Sequence, residues 1–215
     1  MKMLFKPCIK FSAFFCILLS LLLPVRAEQL TLEPLTLVHA AKERLTHSVR
    51  YDGRYISIPY PNGDVPKEIG VCTDLVIRSL RTVDLDLQAL VHEDMKKNFN
   101  AYPSERIWGL SKPDSNIDHR RVPNLQVFFK RYANSLALRR KASDYADNDF
   151  LPGDIVSWML PGNLPHIGIV VDERHSVTNR LMVVHNIGSG PQLEDMLFDY
   201  KITGHYRFEN AIGEE

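Results

Sequence analysis

The feature that most constrains this chain is a change in its hydrophobic period after about residue 132. Before that point, apolar residues recur at helical spacing. Leu35, Val38, Leu45 and Val49 predict an amphipathic helix within 33–49, and Leu75, Val76, Ser79, Leu80 and Val83 predict a second one from Thr73. A more polar helix is expected over 84–99 and a short one over 123–132. Beyond that, 154–159, 166–171, 181–185 and 204–208 are apolar, β-branched runs separated by Pro-Gly and Asn/Asp-rich turns, which is the pattern of strands. Helices followed by a meander of strands predict an α+β fold, with the helix that starts near Cys72 packed on an antiparallel sheet.

Residues 1–27 carry the three parts of a secretory signal in order: Lys2, Lys6 and Lys10, an apolar run from Phe11 to Leu23, and Val25-Arg26-Ala27 before Glu28. The apolar run falls short of the roughly 20 residues that span a bilayer, so cleavage is expected and no stable membrane anchor afterwards. Removal takes four of the 26 basic residues and none of the 26 acidic ones, leaving net −4. That balance argues against nucleic acid as a partner, because phosphate binding needs clustered positive charge. Residues 28–215 suffice for one domain, and the expected location is periplasmic or secreted.

Cys8 and Cys16 leave with the signal, so Cys72 is the one cysteine of the mature chain. In an oxidising compartment cysteines pair, and a lone thiol at the start of a helix suggests a nucleophile whose pKa the helix terminus would lower. A structural reading, a small buried core residue, stands beside it. His166 opens an apolar strand beside Gly168 and is the candidate base. His185 or Asn186 on the following strand could hold its ring, and these neighbours cannot do so together, because side chains of a strand alternate faces. Asp118-His119-Arg120-Arg121 is either a carboxylate-binding cluster or a solvated charge run.

Gly70-Val71-Cys72-Thr73, Pro152-Gly153-Asp154-Ile155-Val156, His166-Ile167-Gly168-Ile169 and Val183-Val184-His185 resemble the motifs of the NlpC-type cell-wall peptidases of the papain-like clan. The fuller set, with Tyr60-Pro61-Asn62-Gly63-Asp64, His119-Arg120-Arg121-Val122-Pro123 and Gly204-His205-Tyr206-Arg207, is similar to the YijF-like family, domain of unknown function 1287, over roughly 35–210. The resemblance implies a papain-like NlpC-type fold and a cysteine hydrolase cutting amide bonds in peptidoglycan stem peptides. It implies Cys72 as nucleophile, His166 as base, His185 as the orienting residue and Tyr60 at the oxyanion, with no metal or organic cofactor. This chain departs from the clan in Val71-Cys72-Thr73-Asp74, where Asp-Cys-Ser-Gly is usual, and in a long insert over 100–150. Two other readings remain: a catalytically inactive wall-binding module with the same fold, and a metal-dependent hydrolase drawing on Cys72, His119, His166, His185 and His205. The second lacks the motif spacing of metal sites.

Overall fold

A computed structural model describes residues 32–139, 143, 145–146 and 149–209. The export signal expected at 1–27 lies outside them. Helix α1 (Pro34–Glu43) begins with proline, whose missing N–H costs nothing in the first turn. The helix expected through residue 49 ends at Glu43, and a 3-10 turn (Arg44–Thr46) follows. Its buried face is Leu37, Val38, Ala40 and Ala41, whereas Leu35 is 60% exposed. The helix packs against both α2 (Cys72–Thr82) and the sheet, so its apolar stripe is broader than the one read from Leu35.

Helix α2 buries Leu75, Val76, Ile77 and Leu80, and the Asp74 carboxylate accepts the Val71 N–H at 2.7 Å, covering one of the unpaired donors at its start. Helix α3 (Leu87–Asn98) is capped by Asp86, which accepts from the Gln88 N–H. After it come the short α4 (Ser104–Trp108) and then α5 (Val122–Tyr132). Asp94 of α3 accepts from Tyr102 at 2.6 Å, Tyr132 at 2.7 Å and Arg131 at 2.7 and 3.0 Å, so one buried carboxylate fastens α3 to α5. The insert is therefore scaffold over most of its described length.

Two short strands, β1 (Arg50–Tyr51) and β2 (Ile69–Gly70), pair in parallel ahead of α2. The main sheet holds β3 (Asn134–Ser135), β4 (Ile155–Leu160), β5 (Leu164–Arg174), β6 (Leu181–Asn186), β7 (Pro191–Glu194) and β8 (Lys201–Arg207), in the order β3-β8-β4-β5-β6-β7 with antiparallel neighbours. The four long strands match the sequence expectation, and the short β3 and β7 are additional. The architecture is α+β.

Alternation divides the sheet between two apolar clusters. Ile155, Ile167, Ile169 and Val184 join the core under α2 and α5, while Val156, Trp158, Val170 and Val183 face Phe150, Met196 and Leu197. Each fully buried Val, Leu or Ile contributes roughly 1.5–3 kcal/mol, so both faces are anchored and a one-residue slip of register is strongly disfavoured. Gly153 enters β4 at φ +92°, and a Cβ there would lie 2.9 Å from the Cβ of Pro34, so α1 can sit close only against glycine. The Leu32 N–H donates to the Glu209 carbonyl at 2.8 Å, closing the two ends of the described chain on each other.

Candidate active site

Cys72 is the first residue of α2 and is 4% exposed. Its sulfur lies near the backbone N–H groups of Ile167 and Thr73 and near the Tyr51 hydroxyl, each of which favours the thiolate. The paired β5–β6 register stops at Gly168↔His185, one rung short of Ile167. The thiol therefore stands where the two strands part, beside the residue that follows His166.

His166, His185 and Glu194 follow from register. His185 lies directly across from Gly168 on one side and from Gln192 on the other, so His166 and Glu194 are its diagonal neighbours on the same sheet face. The result is a chain of side chains across three strands: His166 Nε2 to His185 Nδ1 at 2.9 Å, and His185 Nε2 to Glu194 Oε2 at 2.8 Å. Gly168 makes room for it, since a Cβ there would come within 2.8 Å of Val183 Cγ1 and 3.0 Å of His185 Cβ. The small residue beside His166 thus serves His185 rather than an approach by the helix. Both imidazoles are buried, and Glu194 is half exposed.

Asn186 points to the opposite face, as alternation requires. Its Nδ2 donates to the Val71 carbonyl at 3.4 Å, and its buried Oδ1 has no partner. Of the two candidates for holding His166, the structure brings His185 to it.

Electrostatics reverse one expectation. Burial, outweighing the donors at the sulfur, pushes the Cys72 thiol up to about 11, where the helix terminus was expected to lower it. Burial also lowers His166 to about 3, with His185 adding to the effect, and lowers His185 to about 4. The resting pair is therefore a neutral thiol and a neutral imidazole. Asp74 contributes to the rise at Cys72, yet its carboxylate is directed at the Val71 N–H and at Arg120, which grips it at 2.8 and 2.9 Å.

That ion pair also decides the Asp118–Arg121 cluster, which is neither solvated nor open to a substrate carboxylate. The Arg120 guanidinium is buried on Asp74, Arg121 lies 4.0 Å over the Trp108 ring, and Asp118 and His119 are buried. Thr73 Oγ1 donates to the Arg120 carbonyl at 2.9 Å, so the cluster braces the start of α2.

Tyr60 is placed away from the thiol. Its hydroxyl donates to Glu93 at 2.8 Å and its ring meets His92, because Asn62 and Gly63 are tied by their N–H groups to Asp86 and Gln88 at the start of α3. The tyrosine at Cys72 is Tyr51, which pairs with Gly70 across the β1–β2 contact, and burial pushes its hydroxyl up to about 12. Glu194 and Tyr51 are the site residues that sequence reasoning missed. Glu194 sits on an unpredicted strand, and only the pairing of β1 with β2 singles out Tyr51.

His205 belongs to a separate cluster. Its Nε2 meets Asp154 Oδ2 at 2.7 Å, and Arg207 holds the same carboxylate through both oxygens at 2.6 and 2.7 Å. Of the five donors considered for a metal site, His166 and His185 meet but His119 and His205 lie elsewhere, and among the described residues no three His, Cys, Asp or Glu side chains form a metal-holding group. No described helix is long and apolar enough to cross a membrane.

The chain is an α+β protein with a buried thiol at a helix start and, on the neighbouring strands, a buried two-histidine chain; among the described residues no hydrogen bond joins the two. Residues 38–208 match the family described as a domain of unknown function, DUF1287, and the chain belongs to that family. It is 48% identical over 174 residues to the uncharacterized protein YijF of Escherichia coli (strain K12), covering 81% of each chain.

Proposed function

We propose that the chain is an exported cysteine hydrolase of the papain-like, NlpC-type fold that cleaves amide bonds in peptidoglycan stem peptides. The observation that carries this reading is the buried His166–His185 pair at the open end of the β5–β6 ladder where the Cys72 thiol stands. Cys72 Sγ attacks the carbonyl carbon, His166 takes the thiol proton and passes it to the nitrogen as the C–N bond breaks, and a water deprotonated by His166 then hydrolyses the thioester, releasing the carboxyl product and restoring the thiol. Because the thiol is raised and the imidazole lowered, the proton moves as the sulfur attacks, by general-base catalysis, rather than beforehand. Hydrogen bonds of unliganded sites are often long and tighten on binding, which suits a nucleophile held by backbone donors until substrate arrives. The Cys72 backbone N–H at the start of α2, which faces the Tyr51 hydroxyl, and that hydroxyl itself are the donors proposed for the oxyanion. His185 orients His166.

Incubation of the mature protein with purified sacculi, followed by mass analysis of released fragments, tests the reading. New amine and carboxyl ends at one stem-peptide bond, absent with Cys72→Ala, are expected. Sacculi bound but left intact by the wild-type protein would favour a wall-binding module, the alternative that draws on the burial of Cys72.

A further inference from the structure

We infer that Glu194 is a positioning residue: its carboxylate fixes the order of protons along His185 and His166, so that the lone pair of His166 is left on Nδ1. The inference rests on the reading of Cys72 as nucleophile and His166 as base, and it extends that site by one residue. An ionised carboxylate can only accept hydrogen bonds, and a neutral imidazole has one N–H and one bare nitrogen. Glu194 Oε2 lies 2.8 Å from His185 Nε2, so that nitrogen carries the proton. His185 Nδ1 is then an acceptor, and at 2.9 Å it requires the proton of His166 to lie on Nε2. The remaining nitrogen of His166, Nδ1, is bare and able to take a proton from a thiol. Which ring nitrogen is protonated is set by the bond the other one makes, and here that rule applies twice in series.

Alone, the histidine pair is ambiguous, because reversing both protons leaves the bond between them intact and turns an N–H of His166 outward. The carboxylate at the end of the chain removes that choice. It can do so because it is not already engaged: among the described residues no Lys or Arg pairs with Glu194, in contrast to Asp74 with Arg120. Other titratable groups face the chain. His175, Asp195, Asp199 and Tyr200 line a cavity of 490 Å³ that also reaches His185 and Glu194. Asp195 is held by Arg180 and Thr178, which leaves Glu194 as the carboxylate bonded to His185.

The test is imidazole nitrogen NMR on the histidine-labelled mature protein, read beside turnover. In the wild type, His166 and His185 should both carry the proton on Nε2 from pH 5 to 8. Glu194→Gln, whose amide can donate or accept, should mix the tautomers and lower kcat by about 10–100-fold with KM retained, the scale seen when the outer partner of a metal-bound imidazole is lost. Glu194→Asp, which keeps the carboxylate, should restore the order and part of the rate. A proton on His166 Nδ1 in the wild type, or unmixed tautomers in Glu194→Gln, would overturn the inference. Because the spectra need no turnover, an ordered wild type that hydrolyses nothing would sink the hydrolase reading and leave the proton order standing.

Discussion

The sheet holds two buried histidine–carboxylate clusters, and they differ in what remains free. At the β4–β8 side, Asp154 accepts from Arg207 through both oxygens, from His205 and from the Leu151 N–H, and Phe150 stacks on the His205 ring at 4.2 Å. Every strong acceptor position is filled by the fold. At the β5–β7 side, Glu194 bonds to His185 with half its surface in solvent, and His185 bonds on its other nitrogen to His166. Residue types alone do not separate these clusters. Saturation does: a carboxylate with a bidentate guanidinium holds structure together, while one without such a partner can act on an imidazole.

The largest effect expected to break this comparison is catalytic. His166→Ala should lower amide hydrolysis by about a thousandfold or more, close to Cys72→Ala, since members of a nucleophile–base pair act as a unit. His205→Ala should leave turnover per folded molecule within a few-fold of wild type while lowering its melting temperature. Comparable losses of turnover in both variants would erase the distinction between the clusters. Within the β5–β7 cluster, His185→Ala should cost less than His166→Ala and more than Asn186→Ala, because Asn186 faces Val71 on the other side of the sheet.

Stability should rank the clusters the other way. Asp154→Ala leaves His205 and Arg207 without their carboxylate and should cost about 3–5 kcal/mol in urea unfolding, the usual penalty for breaking a buried pair. Glu194→Ala, at a half-exposed site, should cost under about 1 kcal/mol. A Glu194 variant as unstable as the Asp154 variant would make the β5–β7 cluster structural too.

Acid separates them by pH window. His166 and His185 are lowered to about 3 and about 4, so below their ordinary value near 6.5 the unfolded chain binds more protons than the folded one. Stability present above that value is therefore lost as pH falls from about 6.5 toward 4. Despite burial, Arg207 and His205 hold the Asp154 carboxyl below its ordinary 3.8, so its contribution is lost only at lower pH. Urea midpoints measured from pH 7 to 4 should fall, with a shallower slope in His166→Gln and an unchanged one in Asp154→Asn. The smallest effect concerns the thiol. With Cys72 raised to about 11, alkylation by iodoacetamide should be slower at pH 7 than for free cysteine and should rise through pH 9–11. Rapid labelling at pH 6 would reveal a thiolate that the neutral pair excludes.

The long strands and α2 were legible because each puts apolar residues on a face with a clear period, and β7 was not because Pro191–Glu194 is short and only partly buried. Cys72, His166 and His185 could be located by their places at element ends. Glu194 could not, since its reach to His185 depends on a pairing between β6 and β7 that nothing within four residues announces. Tyr60 is the tyrosine that the family resemblance implies for the oxyanion, one loop before the cysteine. The parallel contact of Arg50 and Tyr51 with Ile69 and Gly70 instead brings back a residue from the far side of a loop. Arg120 looked like a surface charge because its partner, Asp74, lies 46 residues away.

The bond from Leu32 to Glu209 means that the described chain runs in a near-closed circuit. Its order of elements is then only one way of reading a ring. Joining the two ends with a short linker and opening the chain at an exposed turn, such as Gly162–Asn163 between β4 and β5, should give a circular permutant that keeps every strand pairing. A cargo or tether fused at either end of the described chain would hold the protein by the same point.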